Sequence, residues 1–462
     1  MICRDGDLKN MVGRASAPTT SLSQDLSAAP LGGRVPLQGR STRLTQMRTA
    51  EAGGQGMQIR RLSLTNFRNF VRLEAEFPPG TLILAGANAQ GKTSLLEAIY
   101  YFTAASSPFS ESDRQLINFL AMSESPPLAR LKAEVSGRQG SEHLEIRLYQ
   151  EPVENGESRF HKDLLIQGSR RRPSELPGHF HAILFLPQEL RVIEGPPSER
   201  RRHLDDLLVQ TEAAYARSCA EYQHALSQRN ALLRELQERG GDPAQLDYWD
   251  QQLASQGAYL THQRALAIAD LERLASPIHR SLTRGKEVLR LEYQPSIDPL
   301  RLPGDAANPE QSSLPLAVPM DRTRCTAEEI RTEFSRCLES TRAESIARGR
   351  TLQGPHRDEL RFLVDGVDLG LYGSRGQART CLLALKLAEV DWTRQRTQES
   401  PVLLLDEVLA ELDQERRDRL VDQLGGAEQV LITTAEPEGL PSRLVARARL
   451  WRVESGSLRP DR

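Results

Sequence analysis

Aromatic residues are scarce in this 462-residue chain, only 5% of it, and positions 1 to 56 hold none at all. Those 56 positions are rich in Ser, Gly, Pro and Arg, which leaves too little apolar surface to offset the entropy of ordering. A disordered N-terminal extension is expected there, with Met57 opening the first strand and serving as the expected true start. The segment has no apolar h-region and so is not a secretory signal; an Arg- and Ser-rich, acid-poor leader of this kind imitates an organellar transit peptide. Cysteine is equally sparse. Five cysteines show no CxxC spacing and no accompanying histidine cluster, so neither a zinc site nor a disulfide framework is indicated, and a reducing cytoplasm fits. Excess positive charge is also missing. With a formal charge of -2 and a pI near 6.6, no global field attracts a polyanion, and any nucleic-acid contact must come from local basic patches. No apolar run approaches the ~18 residues that a membrane helix requires. What remains, 26% charged and 39% apolar, is the composition of a soluble chain with room for two or three cores.

Against that plain background two segments stand out. GANAQGKTS, Gly86 to Ser94, matches G-x-x-x-x-G-K-[ST], follows the apolar strand TLILAG and opens a helix marked by Leu95, Leu96 and Ile99. Gly86 and Gly91 let the backbone approach phosphate, Lys92 supplies a point charge to the β and γ groups, and Thr93 offers a hydroxyl to magnesium. Asn88 and Ser94 complete the expected contacts of this loop with ATP. The second segment, VLLLDE, is an apolar strand ending in Asp406, the expected metal residue, and Glu407, the expected general base for the attacking water. Lys92 and Asp406 are 314 positions apart (406 − 92). One nucleotide needs both, so the chain must leave an ATPase core and return to it.

YGSRGQ, Tyr372 to Gln377, resembles the S-x-G-Q signature of the ATP-binding-cassette superfamily, with Arg375 in place of the common glycine. By that resemblance the Ser374 hydroxyl, the Gly376 amide and Gln377 serve the γ-phosphate held by a second subunit, and ATP joins two heads. Gln188 in FLPQEL matches the glutamine that touches metal and water. Asp413 in LAELD matches the residue that communicates across the dimer. A switch histidine is expected after the last core strand, where LITTAE offers Thr434; this departure predicts slow or differently triggered hydrolysis.

The material between the two halves is predicted to be a strand-rich antiparallel lobe followed by helices. Alternation places Ile59, Leu62 and Leu64, then Val71, Leu73 and Phe77, on core faces, and further short strands follow in LARLKAEV, HLEIRLYQ and KDLLIQG. Ala182 to Leu190 reads as a strand leaving the lobe. Ser198 to Arg239 contains no Pro or Gly and is followed by a Gly-Gly-Asp-Pro turn, which predicts a helical hairpin whose first limb extends ~63 Å at 1.5 Å per residue if unbroken. Pro295 to Pro319 is expected to be a surface loop. A capping box, Thr326 with Glu329, starts a helix that stops at Gly349. Asp365-Gly366 predicts a hairpin turn. His356 in GPHRDEL has no second histidine nearby and is expected to make a loop hydrogen bond. Arg170 to Arg172 and Arg200 to Arg202 are local basic runs that could meet phosphate.

LSLTNFRNF, GANAQGKTS, the stretch from FLPQEL to GPPSERRRHLD, GPHRDEL, YGSRGQART and LLLDEVLAELD together resemble the RecF family of bacterial recombination-mediator ATPases, from Met57 to the C-terminus. The GPHRD and RRRHLD segments separate it from transporters and chromosome-structure ATPases. Family members often have glutamine where this chain has Ala378, and some have Asp at the position of Glu407. The resemblance implies an α/β fold, an ABC-type P-loop ATPase head with a mixed sheet and an antiparallel β lobe, carrying an inserted short helical arm. The head's first half is expected over 57–190, the arm over 191–350 and the second half over 351–462. It also implies a weak, DNA-stimulated ATPase using ATP and Mg2+, an ATP-dependent homodimer that binds duplex DNA near single-strand gaps, and cooperation with RecR and RecO in loading RecA. NFRNF places Arg68 and Asn69 near the nucleotide by the same analogy.

The other readings fit less well. A transporter subunit has its signature far closer to the phosphate loop than 282 positions (374 − 92), and a chromosome-structure ATPase has arms of hundreds of residues. An overcoming-lysogenisation-type nuclease needs an acidic metal domain, for which the 55 residues after Glu407 (462 − 407) are too few. A non-enzymatic DNA-binding module would bind equally with or without ATP.

Overall fold

The computed structural model describes residues 56–110, 112–123, 126–152, 158–300 and 320–461. The expectations for positions 1–55, and for most of the Pro295 to Pro319 loop, lie outside the described residues.

Period-two burial begins immediately. In β1 (Gln58–Phe67) Ile59, Leu62, Leu64 and Phe67 face a core, and β1 pairs antiparallel with β2 (Phe70–Glu76). Val71 is not on that face: it is 55% exposed, because Asn66 takes a left-handed φ of 51°, breaks the alternation and sends both Phe67 and Phe70 inward. β3 (Gly80–Ala85) feeds the phosphate loop and α1 (Lys92–Ala104). β4 (Leu128–Gly137), β5 (Gly140–Pro152), β6 (Ser158–Ile166) and β7 (Ser169–Arg171) complete a six-stranded antiparallel lobe in the order β2-β1-β4-β5-β6-β7. β8 (Ala182–Phe185) is shorter than expected and joins a different sheet, since Pro187 has no N–H for a ladder and opens a 3-10 turn over Pro187–Leu190.

Helices follow: α2 (Arg191–Glu194), α3 (Pro197–Thr211), α4 (Ala213–Arg239) and α5 (Asp247–Leu282). The long first limb is not continuous. Glu212 is extended (φ −141°, ψ 101°), and its carboxylate accepts hydrogen bonds from Tyr259 and, at 2.7 Å, from Arg396. These distant partners outweigh a locally unbroken helical sequence, and α4 alone spans ~40 Å at 1.5 Å per residue. β9 (Leu289–Gln294) has no counterpart among the expected elements. α6 (Ala327–Ser340) starts at the Thr326–Glu329 capping box, and α7 (Arg342–Arg348) ends at Gly349 with φ 61°. β10 (Glu359–Val364) turns through Asp365 and Gly366, both at positive φ, into β11 (Val367–Asp368). β9 pairs with β10, so a three-stranded sheet links the segment before residue 350 to the segment after it.

α8 (Leu369–Tyr372) and α9 (Arg375–Thr397) lead into β12 (Val402–Asp406), α10 (Val408–Glu411), α11 (Gln414–Leu424) and β13 (Gln429–Thr434). α12 (Ser442–Val445) and the hairpin β14 (Arg449–Glu454) and β15 (Ser457–Pro460) close the chain. The core sheet runs β15-β14-β3-β13-β12-β8, parallel except for β15. Every residue of β12 and β13 is buried, as the near-continuous apolar runs of a covered parallel strand require. In register, Ala85 lies beside Thr434 and Thr433 beside Asp406. The phosphate loop and the acidic pair therefore leave the same edge of one sheet, with β13 between their strands.

Burial also sets a pH response. It pulls the imidazoles of His181 and His356 down to about 4, with Arg357 adding to the effect at His356. The folded protein keeps both neutral while the unfolded chain takes up protons below about pH 6.5, so stability falls as pH drops from 6.5 toward 4. Between pH 7 and 5 the expected loss is about 2 kcal/mol per histidine. Urea midpoints at the two pH values check this: His181→Gln should lose visibly less than wild type, and an equal loss would count against the assignment.

Candidate nucleotide site

At the head of β3 the loop has no room for side chains at two places. A Cβ on Gly86 would stand 2.4 Å from the Val453 carbonyl oxygen, and one on Gly91, at φ 110°, would stand 2.6 Å from the Asn69 amide nitrogen. The loop is strapped to the β14–β15 turn as well, where Ser455 N–H donates to the Gln90 side chain at 2.7 Å. Asn88 is exposed at the loop, and Ser94 is half-buried in the first turn of α1.

Lys92, only 4% exposed, donates from Nζ to the carbonyls of Gly86 (2.7 Å) and Ala87 (3.0 Å) and stands 3.1 Å from Glu407 Oε1. The Thr93 hydroxyl donates to Asp406 Oδ2 at 2.8 Å. The two halves of the sequence thus meet through two pairs of side chains. Asp406 is buried, and its other oxygen accepts from Thr433 at 2.7 Å; that same hydroxyl accepts from Glu407 N–H at 3.0 Å. Thr433, absent from the expected site residues, is the hub that holds the acidic pair. The sequence signal for it is the Thr-Thr ending of an apolar strand, Leu431 to Thr434. Thr434 accepts at its carbonyl from Gly86 N–H at 3.2 Å and at its hydroxyl from Glu436 N–H at 3.1 Å. Glu407 has φ 55°, a left-handed conformation that costs a non-glycine residue on the order of 1 kcal/mol or more. The Thr433 and Lys92 contacts hold it there.

Arg68 sits in the turn between β1 and β2, and its guanidinium makes a two-pronged pair with Glu97 of α1 (2.8 and 2.6 Å). Its neighbour Asn69 lies against Gly91. Gln188 is exposed in the turn after β8, the strand beside β12. The adjacent Glu189 bonds Lys386 at 3.1 Å, Lys386 reaches Glu389 at 2.9 Å, and Glu389 meets His203 at 2.6 Å. Burial opposes charge on His203, but the Glu389 carboxylate holds its pKa above the ordinary imidazole range. A buried charge string therefore runs from the Gln188 turn through α9 to α3.

Ser374 caps α9. Its hydroxyl accepts from Gln377 N–H at 3.2 Å, and Gln377 accepts from Ser374 N–H at 3.1 Å and donates to Glu287 at 3.1 Å. Ser374, Arg375 and Gly376 are exposed, and Leu371 and Tyr372 beside them are 70% and 77% exposed. Among the described residues no hydrogen bond or ion pair joins 372–377 to the phosphate loop of the same chain. Asp413 caps α11 through Arg416 N–H at 2.9 Å.

The basic run Arg200 to Arg202 is turned to packing. Arg200 pairs with Glu359 (2.7 and 2.9 Å), Arg201 donates to the Asp358 carbonyl (2.6 Å), and Arg202 to the Ser107 carbonyl (2.8 Å). Arg170 and Arg171 on β7, and Arg172 just after it, stay exposed. His356 bonds the Tyr222 hydroxyl at 2.7 Å.

Residues 58–447 match the family model of the RecF/RecN/SMC N-terminal domain. A curated relative from Chloroflexus aggregans, "DNA replication and repair protein RecF", is 41% identical over 411 residues, covering 87% of this chain and 99% of the relative. Two solved structures of the "recombination mediator protein RecF", described as RecF-ATP and RecF-ATPrS in the RecFOR pathway, are 25% and 26% identical. They superpose with TM-scores of 0.74 and 0.73, covering 89% and 88% of this chain and 100% and 98% of theirs.

Proposed function

The chain belongs to the RecF/RecN/SMC N-terminal domain family, and within it to the RecF proteins; from that membership and the site's geometry we propose that it is an ATP-driven, DNA-binding protein of recombinational repair. The observation that carries this reading is the meeting of Lys92 with Glu407 and of Thr93 with Asp406. Phosphoryl chemistry asks for a lysine, a metal-binding hydroxyl and carboxylate, and a base for water within one edge. Gly86, Asn88, Gly91, Lys92, Thr93 and Ser94 hold the ATP phosphates, with Arg68 and Asn69 bracing the loop from behind. The Thr93 hydroxyl and Asp406 carboxylate are hard oxygen donors that fit Mg2+, which would neutralise phosphate charge there. Glu407 takes the proton of the attacking water, and Gln188 helps place that water.

Ser374, Gly376 and Gln377 present an exposed, capped helix N-terminus that its own phosphate loop does not use, which supports a second copy's ATP as its ligand. Asp413 then faces the partner. ATP closes the homodimer on duplex DNA near single-strand gaps, slow hydrolysis opens it, and RecR and RecO act with it to load RecA in the cytoplasm. The head is 57–190 with 351–462, and 191–350 is the arm, with the β9-β10-β11 sheet as their joint. Light scattering with ATP should show the wild type doubling in mass and Ser374→Arg remaining single. The ATP-loaded protein should bind duplex DNA with log affinity falling steeply against log salt. A wild type that stays monomeric, or DNA binding indifferent to ATP, would sink the reading.

A further inference from the structure

The positive groups around the nucleotide are largely engaged within the chain. Arg68 is neutralised by Glu97 in a two-pronged pair, and Lys92 is divided between two carbonyls and Glu407. Beside Lys92 and the Mg2+ that Thr93 and Asp406 would hold, γ-oxygens that gain charge in the transition state are stabilised further by a cation aimed where that charge develops.

Arg375 is the first residue of α9 and is exposed, and among the described residues it makes no hydrogen bond or ion pair through its side chain. The groups around it are all committed. Ser374 and Gln377 bond each other, Arg379 pairs with Glu411 at 3.6 Å, and Arg416 is held by Asp413 and by Thr380 at 2.6 Å. An unpaired guanidinium thus stands at the tip of a rigidly capped helix, at the position where the wider superfamily has a side-chain-less glycine. The bland reading is a solvated surface arginine. One observation argues against it: Leu371 and Tyr372 leave a large apolar surface open beside Arg375, as a surface covered by another molecule does.

We infer that Arg375 of one copy is a catalytic residue for the ATP bound by the other. This rests on the two-headed reading above. Water attacks the γ-phosphorus, the bond to the β,γ-bridging oxygen breaks to leave ADP, and Glu407 takes the water's proton. Arg375 forms no covalent bond. Its guanidinium hydrogen-bonds the γ-oxygens from across the dimer and carries part of the charge they gain. The planar fork suits two oxygens at once, which a lysine ammonium does not.

The test is a mixing experiment. Arg375→Gln alone should form the ATP dimer and hydrolyse about 10²-fold or more slowly, with Arg375→Lys recovering only part of the rate. Glu407→Gln alone should be equally slow. In their mixed dimer one site draws Lys92 and Glu407 from the Arg375→Gln copy and Arg375 from the other, and is complete. An equal mixture should regain about a quarter of the wild-type rate, since about half the dimers are mixed and each has one working site. If Arg375→Gln is by itself a poor dimeriser, the complete site still assembles some mixed dimer, and the regain is then smaller than a quarter because Glu407→Gln also pairs with itself. A wild-type rate for Arg375→Gln, or dimers that form without any regain, would overturn the inference and leave the dimer standing. A wild type that never dimerises with ATP would overturn the dimer first.

Discussion

Glu407→Gln is expected to bind ATP, to dimerise and to remain dimeric, while its hydrolysis falls by about 10² to 10⁴, the span a lost general base removes. The substitution is nearly isosteric, and the backbone supports stay in place: Glu407 N–H still donates to Thr433 at 3.0 Å, and Asp406 keeps Thr93 and Thr433. Lys92 loses one carboxylate at 3.1 Å, which leaves its charge freer for phosphate and favours binding. Only the basicity needed to take a proton from water disappears. Phosphate release under single-turnover conditions, read beside light scattering, separates the two effects. Turnover at the wild-type rate would remove Glu407 as the base, and loss of ATP binding would mean that the residue's role is to shape the loop.

The parts of this site that were legible in the sequence are those whose signal is local. The phosphate loop is a strand, a glycine turn and a helix start within nine residues. The capping box of Thr326 with Glu329 is a pair of reciprocal bonds over three residues, and it is in place. The Asp365-Gly366 turn is again local. What escaped depends on partners far away in the chain. Glu212 breaks a helix because Tyr259 and Arg396 take its carboxylate. β14 props the phosphate loop through a contact of Val453 with Gly86, which no periodicity reveals. β9 is six residues long and becomes a strand by pairing with β10 across the β-sheet joint. Val71 shows the opposite failure: alternation with Leu73 predicts a core face for it, and the irregular turn with Asn66 and Arg68 at left-handed φ leaves Phe70 inward and Val71 exposed.

The same distinction explains two further segments, RRRHLD and GPHRDEL, and leads to the second large expected effect. Arg264 on α5, almost wholly buried, donates to the Pro355 carbonyl (2.7 Å), to Asp358 (2.9 Å) and three times to Asp205 (2.9, 2.9 and 3.0 Å). Asp358 also accepts from the Tyr293 hydroxyl (2.5 Å) and from Ser296 N–H (2.8 Å), and Arg200 pairs with Glu359 beside it. Burial pushes the Asp358 carboxyl up from its ordinary range and Arg264 opposes that, so the two charges depend on each other. One knot therefore ties α3 and α5 to the strand β10. Arg264→Met leaves two carboxylates without their cation, one of them fully enclosed, and should cost about 3–5 kcal/mol in urea unfolding. Arg264→Met combined with Asp358→Asn should cost less than the two single losses added, because the second change removes the charge the first one stranded. A single variant within about 1 kcal/mol of wild type would show that the knot is not what fastens these segments. Full additivity would show that Arg264 and Asp358 act independently.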